Sequence, residues 1–245
     1  MTVDVFFSPG VVEESSVEGR TAVVIDVIRA TSTVVEALAN GAKAIFPTIS
    51  TEEAVKLASS LGREDTLLCG ERKGLKVEGF DLGNSPGEFS AERVGGKQIV
   101  MTTTNGTRAF AAVDGAERVL AASFMNLSAV TRALEGVSSL VVVCSGRENR
   151  FSLDDALCAG MLLRGLGSNA AEEMTLNDAG RVAMDLAAIY EIDAEFLSST
   201  GAGKSLLSVG LEADLELCAS VDRHSLVPEM KERRITIPPR NGPDQ

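Results

Sequence analysis

The chain has no tryptophan, one tyrosine and nine phenylalanines among its 245 residues. An aromatic platform for stacking bases is therefore not expected. Histidine is nearly absent too: His224 stands alone, which excludes a multi-histidine metal centre and argues against a histidine-based phosphatase. The four cysteines, Cys69, Cys144, Cys158 and Cys218, lack paired spacing and sit in apolar contexts, so reduced thiols in a cytoplasmic protein are expected. No run approaches the roughly 20 apolar residues that span a bilayer. Met1 to Gly10 has neither a basic start nor a long apolar stretch, so no secretory signal and no membrane partner are expected. Positive charge is also short, with 23 Lys and Arg against 35 Asp and Glu and a formal net charge of −12. That deficit argues against a nucleic-acid partner, which calls for a basic footprint. It does not exclude a small anion, whose binding depends on local charge.

What is present is an ordinary globular composition, 44% apolar and 24% charged. The core must be built mainly of Val, Leu, Ala and Ile. Four short apolar runs each stop at a polar cluster. Val23–Ile25 leads into Asp26, Arg29 and Thr31–Thr33, and Thr66–Cys69 leads into Gly70–Gly74. Gln98–Met101 leads into Thr102–Arg108, and Leu140–Val143 leads into Cys144–Arg147. In an open parallel sheet the carboxyl ends of the strands share one edge, and ligands bind outside it. The four clusters thus predict one shared site. Arg29, Arg72, Lys73, Arg108, Arg147 and Arg150 lie in or beside them, which suits an acidic substrate; the plainer alternative is a set of surface charges.

Between these runs the periodicity alternates between strand and helix. Val34, Val35, Leu38, Ala39 and Ala42 form a helical stripe ended by Asn40-Gly41, and a strand follows at Ala44–Phe46. Ser50 and Glu53 form a capping box for a helix that ends at Gly62. Gly70 to Pro86 reads as one long loop, a length that favours function. Further strands fall at Val119-Leu120 and Leu140–Val143, with helices over Thr107–Val113 and Leu127–Leu134. Ser152 and Asp155 suggest a second capping box, for a helix running to about Leu166. From about residue 170 the pattern is mainly helical. Val182, Leu186, Ile189 and Tyr190 form one stripe, and Leu211, Leu215, Cys218 and Ala219 another. A last strand is expected at Arg234–Ile237, before a tail expected to fray. The predicted fold is a single α/β domain over 1–245, three-layered α/β/α. Its sheet is mostly parallel or mixed, and its C-terminal third is helical.

Each motif has more than one reading. Asp26 is a metal ligand, a phosphate-accepting nucleophile, or merely a turn cap paired with Arg29. Arg29 could grip phosphate with its planar fork, and Thr31 to Thr33, Ser32 included, could cap the next helix near the anion. Glu71 and Asp81 are candidate carboxylates for Mg²⁺, an ion that takes oxygen ligands and keeps waters. Arg72 would add charge there, and Asn84 and Ser85 neutral contacts. Thr103, Thr104, Asn105, Gly106 and Arg108 resemble an anion nest before a helix. Cys144, with Ser145, Gly146 and Arg150, has the spacing of phosphocysteine chemistry, although a strand-end cysteine is more often packing. Asp155 is either a capping carboxylate or a metal ligand facing the strand edge. Ser198–Ser205 imitates a phosphate loop but has serine in place of the first glycine and no strand before it. Asp222 and Arg223 are better site candidates than His224.

Taken in order, Asp26–Ser32, Gly70–Arg72 with Gly79–Pro86, Thr103–Ala109, Phe151–Asp155 with Ala159-Gly160, Asp222-Arg223 and Val227-Pro228 resemble the 2-phosphosulfolactate phosphatase family along nearly the whole chain. One departure is Asp154, where the family pattern has Glu. The resemblance implies a Mg²⁺-dependent hydrolase of a family-specific α/β type. Its substrate is the small anion 2-phospho-3-sulfolactate, converted to 3-sulfolactate and phosphate on the route to coenzyme M. On this reading Mg²⁺ sits on Asp26 and nearby carboxylates. Arg29 and Arg108 clamp anionic groups, and water or a carboxylate attacks phosphorus. Rival expectations are hydrolysis of another phosphorylated hydroxy acid, a phosphocysteine route through Cys144, and a non-catalytic anion-binding protein. A homo-oligomer is left open.

Overall fold

The computed structural model describes residues 1–169 and 174–239. Among them eleven strands form one sheet: β1 (Thr2–Phe6), β2 (Thr21–Ile25), β3 (Ala44–Pro47), β4 (Thr66–Arg72), β5 (Leu75–Lys76), β6 (Gln98–Thr102), β7 (Arg118–Ala122), β8 (Ser139–Cys144), β9 (Thr175–Leu176), β10 (Glu229–Lys231) and β11 (Arg234–Thr236). The helices are α1 (Glu14–Val17), α2 (Ala30–Ala39), α3 (Thr51–Leu61), α4 (Ala91–Val94), α5 (Gly106–Ala112), α6 (Leu127–Ala133), α7 (Leu153–Asn169), α8 (Asp178–Ile189), α9 (Ala194–Ser199), α10 (Gly201–Leu207) and α11 (Ala213–Cys218). The fold is α/β with a mixed sheet, as the alternating pattern predicts.

The sheet order is β5-β4-β6-β3-β11-β10-β7-β2-β8-β1-β9. Strands β4, β6 and β3 form one parallel block, and β7, β2, β8, β1 and β9 form a second. The hairpin β10–β11 joins them, pairing antiparallel with β7 on one side and β3 on the other. Three antiparallel steps leave the two blocks running in opposite directions. The site is therefore not on one edge of an open parallel sheet, as the four clusters first suggest. On a flat sheet the carboxyl ends would lie on opposite edges.

Twist brings them together. From β6 to β2 there are five steps, and at roughly 20–25° each they turn one block by about 100–125° against the other. The packing agrees with this coiling. Ile45, Ile99 and Met101 of the first block share a buried cluster with Ala22, Val24, Val119 and Val141 of the second, wrapped around Val34 and Leu38 of α2 and Phe110 of α5. Alternate residues of the same strands, such as Val23, Ile25 and Val142, face the opposite way into a cluster with α6, α7, α9, α10 and α11. The period-2 alternation of strand side chains thus serves helices on both faces. Helix α3 covers the outer face of β4 and β6 through Ala54, Ala58, Leu68 and Val100.

Several expectations change. β4 continues to Arg72 and turns back as β5, so the presumed loop from Gly70 begins as a small hairpin. On α8 the buried positions are Gly180, Ala183 and Ala187, while Val182, Ile189 and Tyr190 are exposed. The helix packs through its small residues: a Cβ added at Gly160 of α7 would lie 1.9 Å from the Ala183 carbonyl oxygen. Residues 240–245 of the tail expected to fray lie outside the described residues.

Candidate functional site

A cleft of about 310 Å³ opens where the two blocks converge. Asp26, Glu71, Asn105 and Ser145, one from each polar cluster, all line it, together with Arg29, Asn84, Thr103, Thr104, Gly146 and Asp155. The contact between the blocks is direct. A Cβ added at Gly106 would sit 2.4 Å from the Ala30 Cβ and 2.6 Å from Asp26 Oδ2. Gly106→Ala is expected to push the Asp26 carboxylate aside and lower kcat/KM by about 10²-fold, since roughly 1 Å of misplacement costs that much. Full activity in this variant would show that Asp26 can shift freely.

Asp26 follows the last residue of β2, where the chain turns into α2. Its Oδ1 accepts from the Ala30 N–H at 3.1 Å. The Thr31 hydroxyl holds the turn, donating to the Asp26 carbonyl at 2.7 Å and accepting from the Asp26 N–H at 2.9 Å. Thr31 and Ser32, expected beside an anion, instead point at backbone: Ser32 Oγ donates to the Val27 carbonyl at 2.8 Å. Both are fully buried, and buried hydroxyls must find acceptors.

Asp155 does not cap α7. Its Oδ1 accepts from the Val27 N–H at 2.8 Å. Its Oδ2 accepts from the Gly146 N–H at 3.0 Å and the Ser145 hydroxyl at 3.1 Å. One carboxylate thereby ties together the ends of β2 and β8, and the Ser145 and Gly146 donors expected to meet substrate are engaged with it. Asp154 lines the cleft beside it, and Ser152 Oγ donates to Asp154 Oδ1 at 2.6 Å. Glu71 closes the other end in the same manner, accepting from the Thr104 N–H at 2.7 Å and the Gly74 N–H at 2.8 Å. The nest expected at residues 102–108 is thus partly filled by a carboxylate of the protein itself. Its remaining turn is closed internally, Thr103 Oγ1 accepting from the Thr107 N–H at 3.1 Å.

The carboxylates crowd one another. Burial raises Asp26 to about 6, helped by the charges of Asp154 and Glu71 and opposed by the Ala30 N–H and the Ser145 hydroxyl. Burial also raises Asp154. Asp155 is pushed well above the usual carboxylate range, first by burial and then by the charges of Asp154 and Asp26. Strongly perturbed carboxylates gathered in a cleft are typical of functional sites.

The expected cations divide. Arg29 lines the cleft, but its Nη1 pairs with Asp214 Oδ2 at 2.7 Å and its Nη2 donates to the Gly74 carbonyl at 2.7 Å. It is a buried strut rather than a free clamp. Arg108 is exposed on α5 and does not line the cleft, because the helical period that buries Ala109 and Phe110 turns it outward. Arg72 donates to the Thr102 hydroxyl at 3.0 Å, behind the cleft. Arg223 and His224 both bind Glu36, at 3.1 and 2.8 Å, away from it. The Asp222 carboxylate accepts from the Ser128 N–H at 2.6 Å at the start of α6. Asp81, expected as a metal ligand, pairs with Arg63 at 3.1 Å and accepts from the Leu68 N–H at 2.7 Å, outside the cleft where the chain returns alongside β4. Ser85 Oγ donates to Asp214.

The cleft cations that do face it are Lys73 and Arg147. Arg147 Nη2 donates to Ser205 Oγ at 2.7 Å, so part of the dismissed Ser198–Ser205 segment covers the cleft after all. That segment is no phosphate loop: it divides between α9 and α10, with Thr200 capping α10 by accepting from the Gly203 N–H at 3.0 Å. Lys73 and Arg147 belong to the cations expected at the strand ends, whereas Asp154 and Ser205 are contributors that pattern reading missed; the only signal for Asp154 was its place in the Phe151–Asp155 motif.

The placement of Cys144 speaks against a nucleophilic role. As the last residue of β8 it faces the outer cluster and is wholly buried. Burial, then the charges of Asp155, Cys158 and Asp154, push its thiol well above 9, whereas a nucleophilic cysteine must be a thiolate. Cys144→Ser is expected to retain most of its phosphatase activity; inactivation with the fold intact would restore the phosphocysteine route.

Residues 6–233 match the family described as 2-phosphosulpholactate phosphatase. The chain belongs to that family. Its curated relatives include a probable 2-phosphosulfolactate phosphatase of Thermotoga petrophila, 43% identical over 93% of this chain and 95% of the relative. Another from Clostridium perfringens is 41% identical over 96% of both chains, and one from Clostridium acetobutylicum is 38% identical over 94% and 97%. The family match covers all four strand-end clusters and every residue that lines the cleft, so the cleft lies wholly within it. Among the described residues no helix is long and apolar enough to cross a membrane.

Proposed function

We propose that this chain is a Mg²⁺-dependent phosphatase that hydrolyses 2-phospho-3-sulfolactate to 3-sulfolactate and phosphate, with coenzyme M formation as its setting. One observation carries the reading: the Asp26, Asp154 and Asp155 carboxylates are buried together in a cleft, in a chain whose relatives bear that name.

The fit of a metal depends on the ion. Among the described residues no group of three or more His, Cys, Asp and Glu side chains could hold one. Mg²⁺, however, keeps several waters and takes only one or two carboxylates. Asp26 and Asp154 suit it, because each commits Oδ1 to a hydrogen bond from the chain while Oδ2 lacks one of good geometry. Glu71 and Asp155 commit both oxygens, so they serve better as supports. When bound, the ion would neutralise phosphoryl oxygens and stabilise charge as the ester bond breaks. The chain's own contribution is positional. Asp155 fixes the Ser145-Gly146 turn, and Arg29 holds Gly74. Arg147, whose charge eases the ionisation of Asp154, supplies a cation beside the phosphoryl group.

The test is phosphate release from 2-phospho-3-sulfolactate, 2-phospholactate and phosphoglycerates, with Mg²⁺ or with EDTA. Mg²⁺-dependent release, fastest from the first, is expected. Release that survives EDTA overturns the metal requirement, and an inert panel favours an anion-binding protein.

A further inference from the structure

We propose that the end of the cleft formed by Lys73, Asn84 and Thr104 is a second anion subsite, which holds the terminal sulfonate of the substrate and selects esters that carry one. This rests on the hydrolase reading above and adds to it the group that is recognised rather than cleaved.

Two orphaned atoms point to the subsite. Asn84 is 4% exposed and lines the cleft, yet its buried Oδ1 has no hydrogen-bond partner. Thr104 lines the same cleft, and its buried Oγ1 is also unpartnered. A buried polar atom left unsatisfied is costly, and native structures rarely leave two in one cleft without a ligand or water to meet them. These two come from different loops. Asn84 is anchored through its carbonyl, which accepts from Thr33 Oγ1 at 2.9 Å. Thr104 is anchored through its N–H on Glu71.

The charge at this end selects the ligand. Glu71 is engaged by the Thr104 and Gly74 N–H groups, and Arg29 by Asp214 and the Gly74 carbonyl. Lys73 lines the cleft next to them and forms no ion pair among the described residues. The Lys73 ammonium and the Thr104 hydroxyl are donors. The Asn84 amide becomes a third once its NH₂ faces the cleft, an orientation set by whichever hydrogen bonds it finds. A sulfonate offers three oxygens and a permanent charge, matching three donors. Asp26 lines the same cleft, together with Glu71 on this side and with Asp154 and Arg147. An ester with phosphate at one end and sulfonate at the other would therefore lie along the cleft.

The experiment compares kcat/KM for 2-phospho-3-sulfolactate and for 2-phospholactate, which lacks only the sulfonate, in wild type, Lys73→Met, Thr104→Val and Asn84→Ala. Each substitution is expected to reduce the preference for the sulfonate-bearing ester by about ten- to hundredfold, mainly through KM, the size of one charge-assisted hydrogen bond. Equal losses on both esters, or an unchanged ratio, would show a solvent-filled recess and overturn the proposal. Calorimetric binding of 3-sulfolactate against lactate to the same four proteins decides the subsite independently of turnover. If the wild type is inert as a phosphatase, yet binds 3-sulfolactate selectively and the variants do not, the hydrolase reading fails while the subsite stands. If wild type binds the two acids equally, the subsite fails whatever the turnover.

Discussion

Asp26→Asn is expected to lower phosphate release by about 10³-fold without unfolding the protein, the scale of losing one preorganised charge at a reacting centre. Asparagine keeps the shape and can still accept from the Ala30 N–H, so the turn from β2 into α2 survives. It also removes one of several buried negative charges that disfavour each other. The melting temperature without divalent metal should accordingly not fall. Added Mg²⁺ separates the two proteins further. At a hundred times its dissociation constant a ligand stabilises by about 2.7 kcal/mol, or about 5–10 °C for a chain of this size. Wild type should gain this and Asp26→Asn should gain much less. Equal gains would remove Asp26 from the metal site, and a near-normal rate in the variant would remove it from the chemistry.

The largest effect on stability is expected at Asp214. Its pair with Arg29 is 2.7 Å long, with the side chains 3% and 4% exposed. Removing one member leaves an uncompensated charge in the interior, a loss of about 3–5 kcal/mol. Asp214→Ala should lower the melting temperature by about 6–20 °C at 2–4 °C per kcal/mol. It should also loosen Gly74, which Arg29 holds through its other nitrogen. The double variant Arg29→Met with Asp214→Leu should recover much of the stability, because an apolar pair of similar volume often replaces a buried ion pair at little cost. It should not recover activity, because Gly74 still lacks its donor. A single variant that melts with wild type would mean that Arg29 finds another partner or water.

The strand-end clusters were legible because each joins two local signals, an apolar run and a polar stop, within a dozen residues. Convergence of Asp26, Glu71, Asn105 and Ser145 was expected from a shared parallel edge, but in the structure it comes from the twist of a mixed sheet whose two blocks run in opposite directions. The roles of the arginines were not legible. Arg29 looks like a phosphate clamp until its partner is known, and Asp214 lies 185 positions away on a helix with no motif. Arg108 looks equally apt, and only the rotation of α5 shows that it faces solvent. Of the hairpin β10–β11 only the second strand was expected, at Arg234–Ile237, and β10 with the turn was not, for a different reason. The two turn residues, Glu232 and Arg233, have φ of 52° and 58°. Turns of that shape are usually announced by Asn-Gly or Asp-Gly. Strand β1 carries the alternation Val3, Val5 but is too short to stand out without its partners β8 and β9.

That hairpin has a bearing on biosynthesis. Residues 229–236 are the last to leave the ribosome of all that belong to the sheet, yet they fill its centre rather than its border. Until they emerge, β3 and β7 each present a row of unsatisfied amides and carbonyls, the kind of margin that recruits foreign strands. A nascent polypeptide without residues 229–236 lacks the strands that join its two halves around the cleft, so a chain cut just before Glu229 is expected to be an aggregation-prone species instead of a partly active one.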